Sequence, residues 1–534
     1  MTNIAEAQRV IEQAWALGAA DFCVCAGSRN APLLAVLGAS NLRIYSFVDE
    51  RSAAFFALGR AKRTGRPVAV VTTSGTAVAE LLPAAVEAHY SGTKLIFITA
   101  DRPSRYRGTG APQAIEQEEI FGVYAGGSVL HINIEFDEPL LDEVAGSRGF
   151  EVSRQETDDA ANRADTARPR NRETSQPIAE VSESRGFAVA RQVTDNAANR
   201  ADTARPRNRE TSQPRTQQPL LFTRPLVILG GLAPTHRDRV RAFALALNAP
   251  VYAEPLSGLR EDPALAHLLI TAGERMIGRG NFDGVIRIGN VPSLRFWRDL
   301  DESRRDLPLV SFSDLPFTGC SRGEVHPIET LPVDVTPRER DERFFSDDRS
   351  RAASIAAILD DEPQSELAMV RSLSRTIPAN ARVYLGNSLP IREWDLAAVR
   401  EPRGVTIEAN RGANGIDGQL STFLGQCDPS RPNICVVGDL TAIYDSNAPW
   451  IVPQLDAGID WRIVIINNGG GRIFSRVPSL RKLDPAMRER MIENSHALRF
   501  DHWAAMWSIE DRVTELRPDA DSTRRSWERY DALW

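Results

Sequence analysis

Two apolar runs in the last third of the chain each end in side chains that could hold a cation. The first, in "CVVGDLTAIYDSN", ends at Gly438 and is followed at once by Asp439. The second, in "WRIVIINNGGGRIF", ends in Asn467-Asn468 and a run of glycines. A short buried-strand pattern that stops at Gly-Asp predicts a strand, a tight turn and the start of a helix. Taken alone, Asp439 is most simply the cap of that helix.

The second run changes the interpretation of Asp439. The carboxyl ends of parallel strands open on the same crevice of a sheet, so Asp439 and the two asparagines are expected to meet there. A carboxylate, a side-chain amide and a glycine-rich backbone supply the oxygen ligands that Mg²⁺ prefers. The turn at Gly438 also offers backbone N–H groups and a helix N-terminus to a phosphate. The two motifs together therefore predict a site for Mg²⁺ and a phosphate group.

A third carboxylate lies near the N-terminus, in "FVDERSAAFFALGRAK". Glu50 follows a strand pattern and opens a helix pattern. One interpretation is a first-turn carboxylate that the helix dipole stabilises. The other is a functional acid at a strand end, and the local pattern leaves both interpretations open.

Alternating strands and helices are predicted to position these residues. From residue 1 to about 140 the alternation is βαβ repetition, which predicts a parallel sheet. The strand patterns are "DFCVCAG", "RIYSFVDE", "PVAVVTTSG" and "KLIFITAD", and the helix patterns are "SRNAPLLAVLGAS", "RSAAFFALGRAKRTG" and "TAVAELLPAAVEAHYSG".

The same pattern returns twice, because 534 residues are too many for one core. Strand patterns recur in "RPLVILGGLAP", "APVYAEPL", "FDGVIRIGN" and "LPLVSFSD", and again in "ARVYLGNS", "GVTIEANRG", "NICVVGD" and "WRIVIINN". We therefore predict three α/β domains with doubly wound parallel sheets, at residues 1–145, 218–345 and 346–534. The charged segment "TPRERDERFFSDDRSR" is predicted to connect the last two.

Residues 146–217 break this pattern. The segment "SRGFEVSRQETDDAANRADTARPRNRETSQP" begins at Ser147 and recurs almost unchanged from Ser184. Two copies are too few for a solenoid, and the segment has few large apolar residues with which to offset its ordering entropy. We predict a disordered, low-complexity tandem-repeat insertion. A docking segment for an acidic partner is the alternative.

Composition limits the function further. The net charge of −7 argues against a broad basic surface for nucleic acid. Five cysteines in so long a chain do not make a disulfide framework, which fits a reducing compartment. The N-terminus has no signal-peptide pattern, and no apolar run approaches the ~20 residues that span a bilayer. We expect a cytoplasmic protein that binds no nucleic acid and does not span a membrane.

The Gly-Asp and Asn-Asn motifs resemble the signature of thiamine diphosphate enzymes. Further motifs occur in the order "CAGSRNAPL", "VDERSAAFFALG", "TTSGTAVAELLPAAVEA", "ITADRP", "GNSLPIRE" and "NRGANGIDGQLSTFLG". With Gly-Asp-Leu in place of the commoner Gly-Asp-Gly, they resemble the 2-succinyl-5-enolpyruvyl-6-hydroxy-3-cyclohexene-1-carboxylate synthases of menaquinone biosynthesis. The resemblance implies that residues 1–145 bind the pyrimidine, 346–534 bind the diphosphate and metal, and 218–345 are structural.

Thiamine diphosphate and Mg²⁺ (or Mn²⁺) are the cofactors that the resemblance implies. It makes Glu50 the catalytic acid, which hydrogen-bonds N1′ of the aminopyrimidine and so promotes deprotonation of thiazolium C2. The implied metal ligands are Asp439, Asn468 and the carbonyl of Gly470. The implied cofactor contacts are Glu50, Thr73, Gly75, Ile416, Gly438, Asp439, Leu440, Asn468 and Ile473.

The resemblance also implies a reaction. Members of this family of transferases decarboxylate 2-oxoglutarate and add the succinyl-type carbanion to isochorismate. Both substrates carry several carboxylates, which arginine pairs bidentately. The implied substrate residues are Ser28, Arg29, Arg102, Gln113, Ser388, Arg392, Arg411 and Phe474, with Arg295 as a looser match.

An assembly follows from the same resemblance. The family places its cofactor between the N-terminal domain of one subunit and the C-terminal domain of another, which implies a homodimer or homotetramer. The sequence departs from the family at Gly469, where asparagine is usual, and in its shorter C-terminal segment.

Two other functions stay open. One is an acetolactate-synthase-like carboligase or 2-oxoacid decarboxylase, and the other is a cofactor-binding scaffold. Gly-Asp-Leu and the arginine set favour the synthase over the first. The joint presence of Glu50, Asp439 and Asn468 favours an enzyme over the second.

Overall fold

The structure is a computed structural model that describes residues 2–19, 21–141, 222–477 and 479–534. In these ranges the strands form three five-stranded sheets, and every pairing between strands is parallel. This confirms the predicted α/β class with three parallel sheets. The insertion predicted at residues 146–217 lies outside the described residues.

The N-terminal sheet has the strand order β2-β1-β3-β4-β5. Its strands are β1 (Asp21–Cys25), β2 (Arg43–Phe47), β3 (Val68–Thr72), β4 (Leu95–Asp101) and β5 (Val129–Glu135). Its helices are α1 (Asn3–Ala16), α2 (Ala31–Gly38), α3 (Glu50–Thr64), α4 (Thr76–Ala79) and α5 (Leu82–Ser91). Strands β1, β3 and β4 are buried along their whole length, which is typical of a sheet covered on both faces.

One helix of this domain was predicted to be continuous, and this prediction is wrong. The pattern "TAVAELLPAAVEAHYSG" predicts a single helix, whereas the structure has α4 and α5 with a break between them. Pro83 lies in the first turn of α5, where its missing N–H costs no hydrogen bond. Proline therefore restarts the helix here and could not continue it.

The middle sheet has the order β10-β9-β8-β6-β7. Its strands are β6 (Pro225–Leu229), β7 (Val251–Ala253), β8 (Gly284–Ile288), β9 (Leu309–Phe312) and β10 (Val325–His326). Its helices are α6 (Arg237–Leu247) and α7 (Arg295–Glu302). The four strands predicted from sequence are β6 to β9, and the two-residue β10 is too short to give a sequence pattern.

The C-terminal sheet has the order β12-β11-β13-β14-β15. Its strands are β11 (Arg382–Leu385), β12 (Thr406–Glu408), β13 (Asn433–Gly438), β14 (Trp461–Ile466) and β15 (Val513–Leu516). The helices are α8 (Glu342–Asp361), α9 (Glu366–Thr376), α10 (Leu389–Ala397), α11 (Gln419–Gln426), α12 (Asp439–Tyr444), α13 (Pro485–Met491), α14 (Asp501–Met506) and α15 (Ala520–Asp531). Much of the predicted charged connector is helical, and the side chain of Asp341 caps the start of α8 by accepting the N–H groups of Arg343 and Phe344.

The N-terminal and C-terminal sheets meet through α3 and α11. The carbonyl of Thr422 lies where a Cβ on Gly59 would be, and the carbonyl of Phe56 lies where a Cβ on Gly425 would be. Glycine at both places lets the two backbones approach closely. One apolar core includes side chains from both domains around this crossing. The strand ends of the two sheets are therefore held in one packed unit.

Among the helices of the described ranges, none combines the length and the apolar character needed to cross a bilayer.

Candidate active site

The predicted N-terminal site residues follow the carboxyl ends of neighbouring strands. In chain order they are Ser28 and Arg29 after β1, Glu50 after β2, Thr73 and Gly75 after β3, and Arg102 after β4. The strand order places a topological switch point between β1 and β3, where open α/β sheets bind ligands. The structure thus gathers these residues along one edge of the sheet.

Close packing joins the turns after β1 and β3. Asn30 is fully buried, and its side chain accepts the N–H of Gly27 at 2.9 Å and donates to the carbonyl of Cys25 at 2.8 Å. The Thr73 side chain lies where a Cβ on residue 27 would be. The hydroxyls of Thr73 and Ser74 are buried, and neither has a hydrogen-bond partner among the described residues. Two buried hydroxyls without hydrogen-bond partners at a switch point can form hydrogen bonds with a ligand there.

Gly75 and Gln113 lie against each other at this edge. Gly75 has a φ of 86°, and the Cα of Gln113 would be 3.1 Å from a Cβ at that position. Both facts favour glycine. The Gly75 N–H donates to Oε1 of the buried Gln117 at 3.3 Å, and this hydrogen bond helps to hold the turn in place. Gln113 itself is exposed.

The three predicted polar residues beside these turns differ in burial and in how firmly the protein holds their side chains. The Arg29 guanidinium is buried, donates to the carbonyl of Phe136 at 2.9 Å and lies 3.4 Å from Glu138. Ser28 is exposed, and Arg102 is half-buried. Arg29 is therefore held in place by the protein, whereas Ser28 and Arg102 are accessible.

Glu50 begins α3, but it does not cap it. The cap is Asp49, whose side chain accepts the N–H of Ser52 at 2.9 Å. Glu50 is half-buried, and no other described residue donates a hydrogen bond to its carboxylate. Burial raises the pKa of Glu50, and the charges of Asp49 and Glu80 act in the same direction. Glu50 therefore keeps a proton more easily than an exposed glutamate.

Asp439 begins α12 and is 3% exposed. Its Oδ2 accepts the N–H groups of Gly469 at 2.8 Å and Gly470 at 2.9 Å, and its Oδ1 accepts the N–H of Leu440 at 2.6 Å. Burial raises the pKa of Asp439, against the effect of these hydrogen bonds and of the nearby His496. Three hydrogen bonds leave part of the carboxylate's acceptor capacity free. A cation there would offset the cost of burying the charge.

The two asparagines after β14 differ in whether the side-chain oxygen has a hydrogen-bond partner. The amide of Asn467 donates to the carbonyl of Leu498 at 2.8 Å and to Glu515 at 2.7 Å, and its Oδ1 lies 3.2 Å from the N–H of Gly469. The amide of Asn468 donates to Glu366 at 2.8 Å. Its Oδ1 is buried without a hydrogen-bond partner in the described part of the chain. Asn468 alone therefore offers a spare oxygen.

The predicted residues after β11 and β12 lie on the same edge of the C-terminal sheet. Ser388 has a φ of 72° where the chain turns into α10, and Arg392 donates to its carbonyl at 2.5 Å. Arg411 donates to Oδ1 of Asn387 at 2.7 Å, and burial lowers its pKa to about 10, so it stays charged at neutral pH. Arg411 also lines a cavity of about 410 Å³ whose other lining residues include Tyr90.

The predicted apolar contacts are accessible or half-buried. Ile416 and Ile473 are half-buried, and Phe474 is 37% exposed on the short 3₁₀ segment after the glycine turn. Arg295 is separate from this group. It pairs with Asp299 at 3.1 Å on its own helix. Among the described residues, no hydrogen bond or ion pair joins Arg295 to another predicted site residue.

Two residues at this site had no signal in the sequence. His496 places Nε2 3.4 Å from Oδ2 of Asp439, and Glu366 holds the amide of Asn468. Glu366 belongs to α9, far from the motif along the chain, and a lone histidine or glutamate carries no spacing pattern. Only the fold brings them to Asp439 and Asn468.

Comparison with known proteins decides the family. Residues 6–120 match the model described as thiamine pyrophosphate enzyme, N-terminal TPP binding domain. A 2-succinyl-5-enolpyruvyl-6-hydroxy-3-cyclohexene-1-carboxylate synthase of Bdellovibrio bacteriovorus is 37% identical over 581 aligned residues, which cover 100% of both chains. Synthases of the same name are 38% identical in Akkermansia muciniphila, over 94% of this chain and 90% of the relative, and 31% identical in Halobacterium salinarum, over 96% and 92%. The chain belongs to this synthase family.

As a 2-succinyl-5-enolpyruvyl-6-hydroxy-3-cyclohexene-1-carboxylate synthase family member, the chain is a thiamine diphosphate-dependent transferase. Its described residues fit such a cofactor at both sheet edges. The buried hydroxyls of Thr73 and Ser74 and the buried amide oxygen of Asn468 have no partners within the described ranges. A carboxylate and an amide oxygen beside a glycine turn suit a hard divalent cation.

Proposed function

We propose that this synthase family member decarboxylates 2-oxoglutarate and joins the remaining succinyl unit to isochorismate, in menaquinone biosynthesis. The observation that carries the proposal is that Asp439 accepts two N–H groups of the glycine turn that follows Asn468. That arrangement leaves one buried amide oxygen unpartnered next to a buried carboxylate. The names of the relatives support the reaction.

The metal and diphosphate belong, in this proposal, to the C-terminal edge. Asp439, Asn468 and the carbonyl of Gly470 would hold Mg²⁺ or Mn²⁺, and the backbone at Gly438 and Leu440 would face the diphosphate. Gly470 has a φ of 136°, and the carbonyl of Glu493 lies 2.6 Å from where its Cβ would be. A side chain at residue 470 would therefore disturb the turn that Asp439 holds.

The aminopyrimidine belongs to the N-terminal edge. Thiamine diphosphate, when bound, supplies an electron sink for the charge that the departing CO₂ leaves behind. Glu50 would hold a proton against N1′ of the pyrimidine, and its raised pKa supports that role. Thr73 and Gly75 would contact the ring, while Ile416 and Ile473 would support the cofactor with apolar surface.

Substrate carboxylates would be bound from both edges. The proposed contacts are Ser28, Arg29, Arg102 and Gln113 from the N-terminal domain and Ser388, Arg392, Arg411 and Phe474 from the C-terminal domain. Arginine suits this task because its planar guanidinium pairs a carboxylate with two hydrogen bonds. Arg29 is held by the Phe136 carbonyl and by Glu138, and Arg411 by Oδ1 of Asn387, which leaves other N–H groups of both side chains for a ligand.

A homodimer or homotetramer with an active site between subunits is part of the proposal. We also expect a cytoplasmic location, because the five cysteines are all free and four are buried.

The test is an assay of the purified protein with thiamine diphosphate and Mg²⁺. We expect 2-oxoglutarate and isochorismate to give CO₂ and the succinylated cyclohexene product, detected by mass spectrometry. Pyruvate replaces 2-oxoglutarate in the control reaction. Consumption of pyruvate without formation of the succinylated product would favour an acetolactate-synthase-like carboligase or a 2-oxoacid decarboxylase instead.

A further inference from the structure

Glu366 is a buried acid that the proposed chemistry leaves unused. It is 2% exposed and occupies the first turn of α9, whose cap is Ser365. Its backbone N–H donates to Oγ1 of Thr523 on α15 at 3.1 Å. The carboxylate is thus held at a defined place by two helices, with one of its oxygens 2.8 Å from Nδ2 of Asn468.

Behind Glu366 lies a second buried acid. Glu393 on α10 is 1% exposed. Burial raises the pKa of Glu393, and so does the nearby charge of Glu366. Both carboxylate oxygens of Glu393 are buried without a hydrogen-bond partner in the described part of the chain. Among the described residues the Glu366 carboxylate therefore has Asn468, and not Glu393, as its hydrogen-bond partner.

A carboxylate beside an amide determines which way the amide points. Nδ2 of Asn468 lies 2.8 Å from the Glu366 carboxylate, and of the two ends of the asparagine amide only the NH₂ group donates a hydrogen bond. The NH₂ group of Asn468 must therefore face Glu366, and its oxygen must face away. The opposite orientation would put the amide oxygen against the carboxylate oxygen and lose this buried hydrogen bond.

The neighbouring asparagine shows that this effect is selective. Asn467 also donates to a glutamate, Glu515, but it donates to a backbone carbonyl as well, and its own oxygen lies near the N–H of Gly469. Its amide is therefore fixed as part of the turn. Asn468 has the equivalent glutamate bond but a buried oxygen without a partner within the described ranges. The glutamate bond is then the one polar contact that orients Asn468.

We propose that Glu366 is a positioning residue that turns the amide oxygen of Asn468 toward the metal site. The proposal rests on the metal site of the proposed function. It adds a residue that does not touch metal, cofactor or substrate and acts only through Asn468. Mutation of an outer-shell partner of this kind commonly weakens metal binding about 10- to 100-fold.

Mn²⁺ affinity tests the proposal without an activity measurement. Free Mn²⁺ is measured by electron paramagnetic resonance in solutions of the full chain with thiamine diphosphate. We expect Glu366→Gln to raise the Mn²⁺ Kd about 10-fold or more, because a glutamine can also donate and so stabilises the flipped amide. Glu366→Leu, which offers no acceptor, serves as the second variant if the glutamine variant folds poorly. Glu515→Gln changes the equivalent bond to Asn467 and is expected to change Kd less than about threefold.

A change at Asn468 separates positioning from charge. Aspartate at this position has two equivalent oxygens and no orientation to lose. We therefore expect the Glu366→Gln effect on Kd to vanish in the Asn468→Asp background. Equal losses of affinity in both backgrounds would show that Glu366 acts only through its charge, and this would overturn the proposal. Unchanged affinity in the single Glu366 variants would overturn it too.

The same measurement tests the underlying site. Asp439→Ala is expected to lose Mn²⁺ binding in the same assay. If Asp439→Ala bound Mn²⁺ like the wild type, the proposed metal site would be wrong, and the role of Glu366 with it. A tight site in the wild type that responds to Asp439 but not to Glu366 would overturn the positioning role alone.

Discussion

Two sheets with the same pattern of strand order each place a carboxylate at the start of a helix, and the two carboxylates differ in environment. Asp439 follows the central strand β13, is 3% exposed and accepts three backbone N–H groups. Glu50 follows the edge strand β2, is half-buried and has no partner residue among those described. A central strand has a neighbour on each side, so the turn after β14 reaches Asp439. An edge strand has one neighbour, so Glu50 stays open.

This difference separates anchoring from proton handling. A carboxylate held by several N–H groups is fixed in position and suits a metal ligand. A carboxylate without partners, whose pKa is raised by burial, suits the exchange of a proton with a ligand. The same residue class thus serves two tasks because of its place in the sheet.

The largest effect is expected from removing the anchored acid. Asp439→Ala should weaken Mn²⁺ binding more than about 100-fold, beyond the effect of outer-shell changes, and should abolish turnover. The glycine turn loses its acceptor at the same time. Electron paramagnetic resonance of Mn²⁺ and a product assay give the two values. If the variant bound Mn²⁺ and turned over like the wild type, Asp439 would not be the metal anchor, and the contrast with Glu50 would be wrong.

The open acid should affect turnover alone. We expect Glu50→Gln to lower kcat about 10²- to 10⁴-fold, the range for loss of a general acid or base, with Mn²⁺ affinity and thermal stability unchanged. Asp49→Ala is the matched control, because it removes the cap of α3 and should lower stability by about 0.5–2 kcal/mol while Glu50 remains. A Glu50→Gln enzyme of near wild-type rate would contradict the assigned role.

A smaller effect is expected from the contact that joins the two domains. Gly59→Ala would place a methyl group on the carbonyl of Thr422, and we expect a loss of about 1–3 kcal/mol in the free energy of unfolding. Urea denaturation followed by circular dichroism measures it. Gly38→Ala, at the open end of α2, is the control and should change stability by less than about 1 kcal/mol. Equal stability of the two variants would argue against a tight crossing of α3 and α11.

The smallest effect is expected from the tandem repeat. Deleting residues 147–214 should leave kcat within about threefold of the wild type, because the sequence there has few large apolar residues to bury. The assay for product formation, together with gel filtration, tests this. An insoluble or inactive deletion variant would show that the repeat contributes to the working enzyme.

Much of the fold was predictable from local patterns. The strand patterns that end in "CAG", "VDE", "TTSG" and "VVGD" correspond to β1, β2, β3 and β13, since buried parallel strands are short continuous apolar runs. The edge strands β5 and β15 were not predicted, because their burial is only partial and their patterns are weak. The break between α4 and α5 was missed because helix periodicity continues across it.

The candidate site was predictable where a motif holds its residues together. Asp439, Asn468 and Gly470 lie in two such motifs, and Glu50 in a third. Their assignment as ligands and acid stays a prediction until binding is measured. Glu366 and His496 could not be predicted, because nothing near them in the sequence marks them, and Glu366 comes from a helix about a hundred residues away.

The sequence by itself determined the three parallel sheets, the family and the strand ends at which chemistry is expected, because those depend on short-range patterns and on motifs. Only the tertiary structure decided that Asp439 is an anchor held by three backbone N–H groups and that Glu50 is an open acid. It also decided which asparagine keeps a free oxygen. Those properties depend on which N–H groups and carboxylates of distant segments come within about 3 Å. Such distances follow from strand order and helix packing, and no local pattern encodes them.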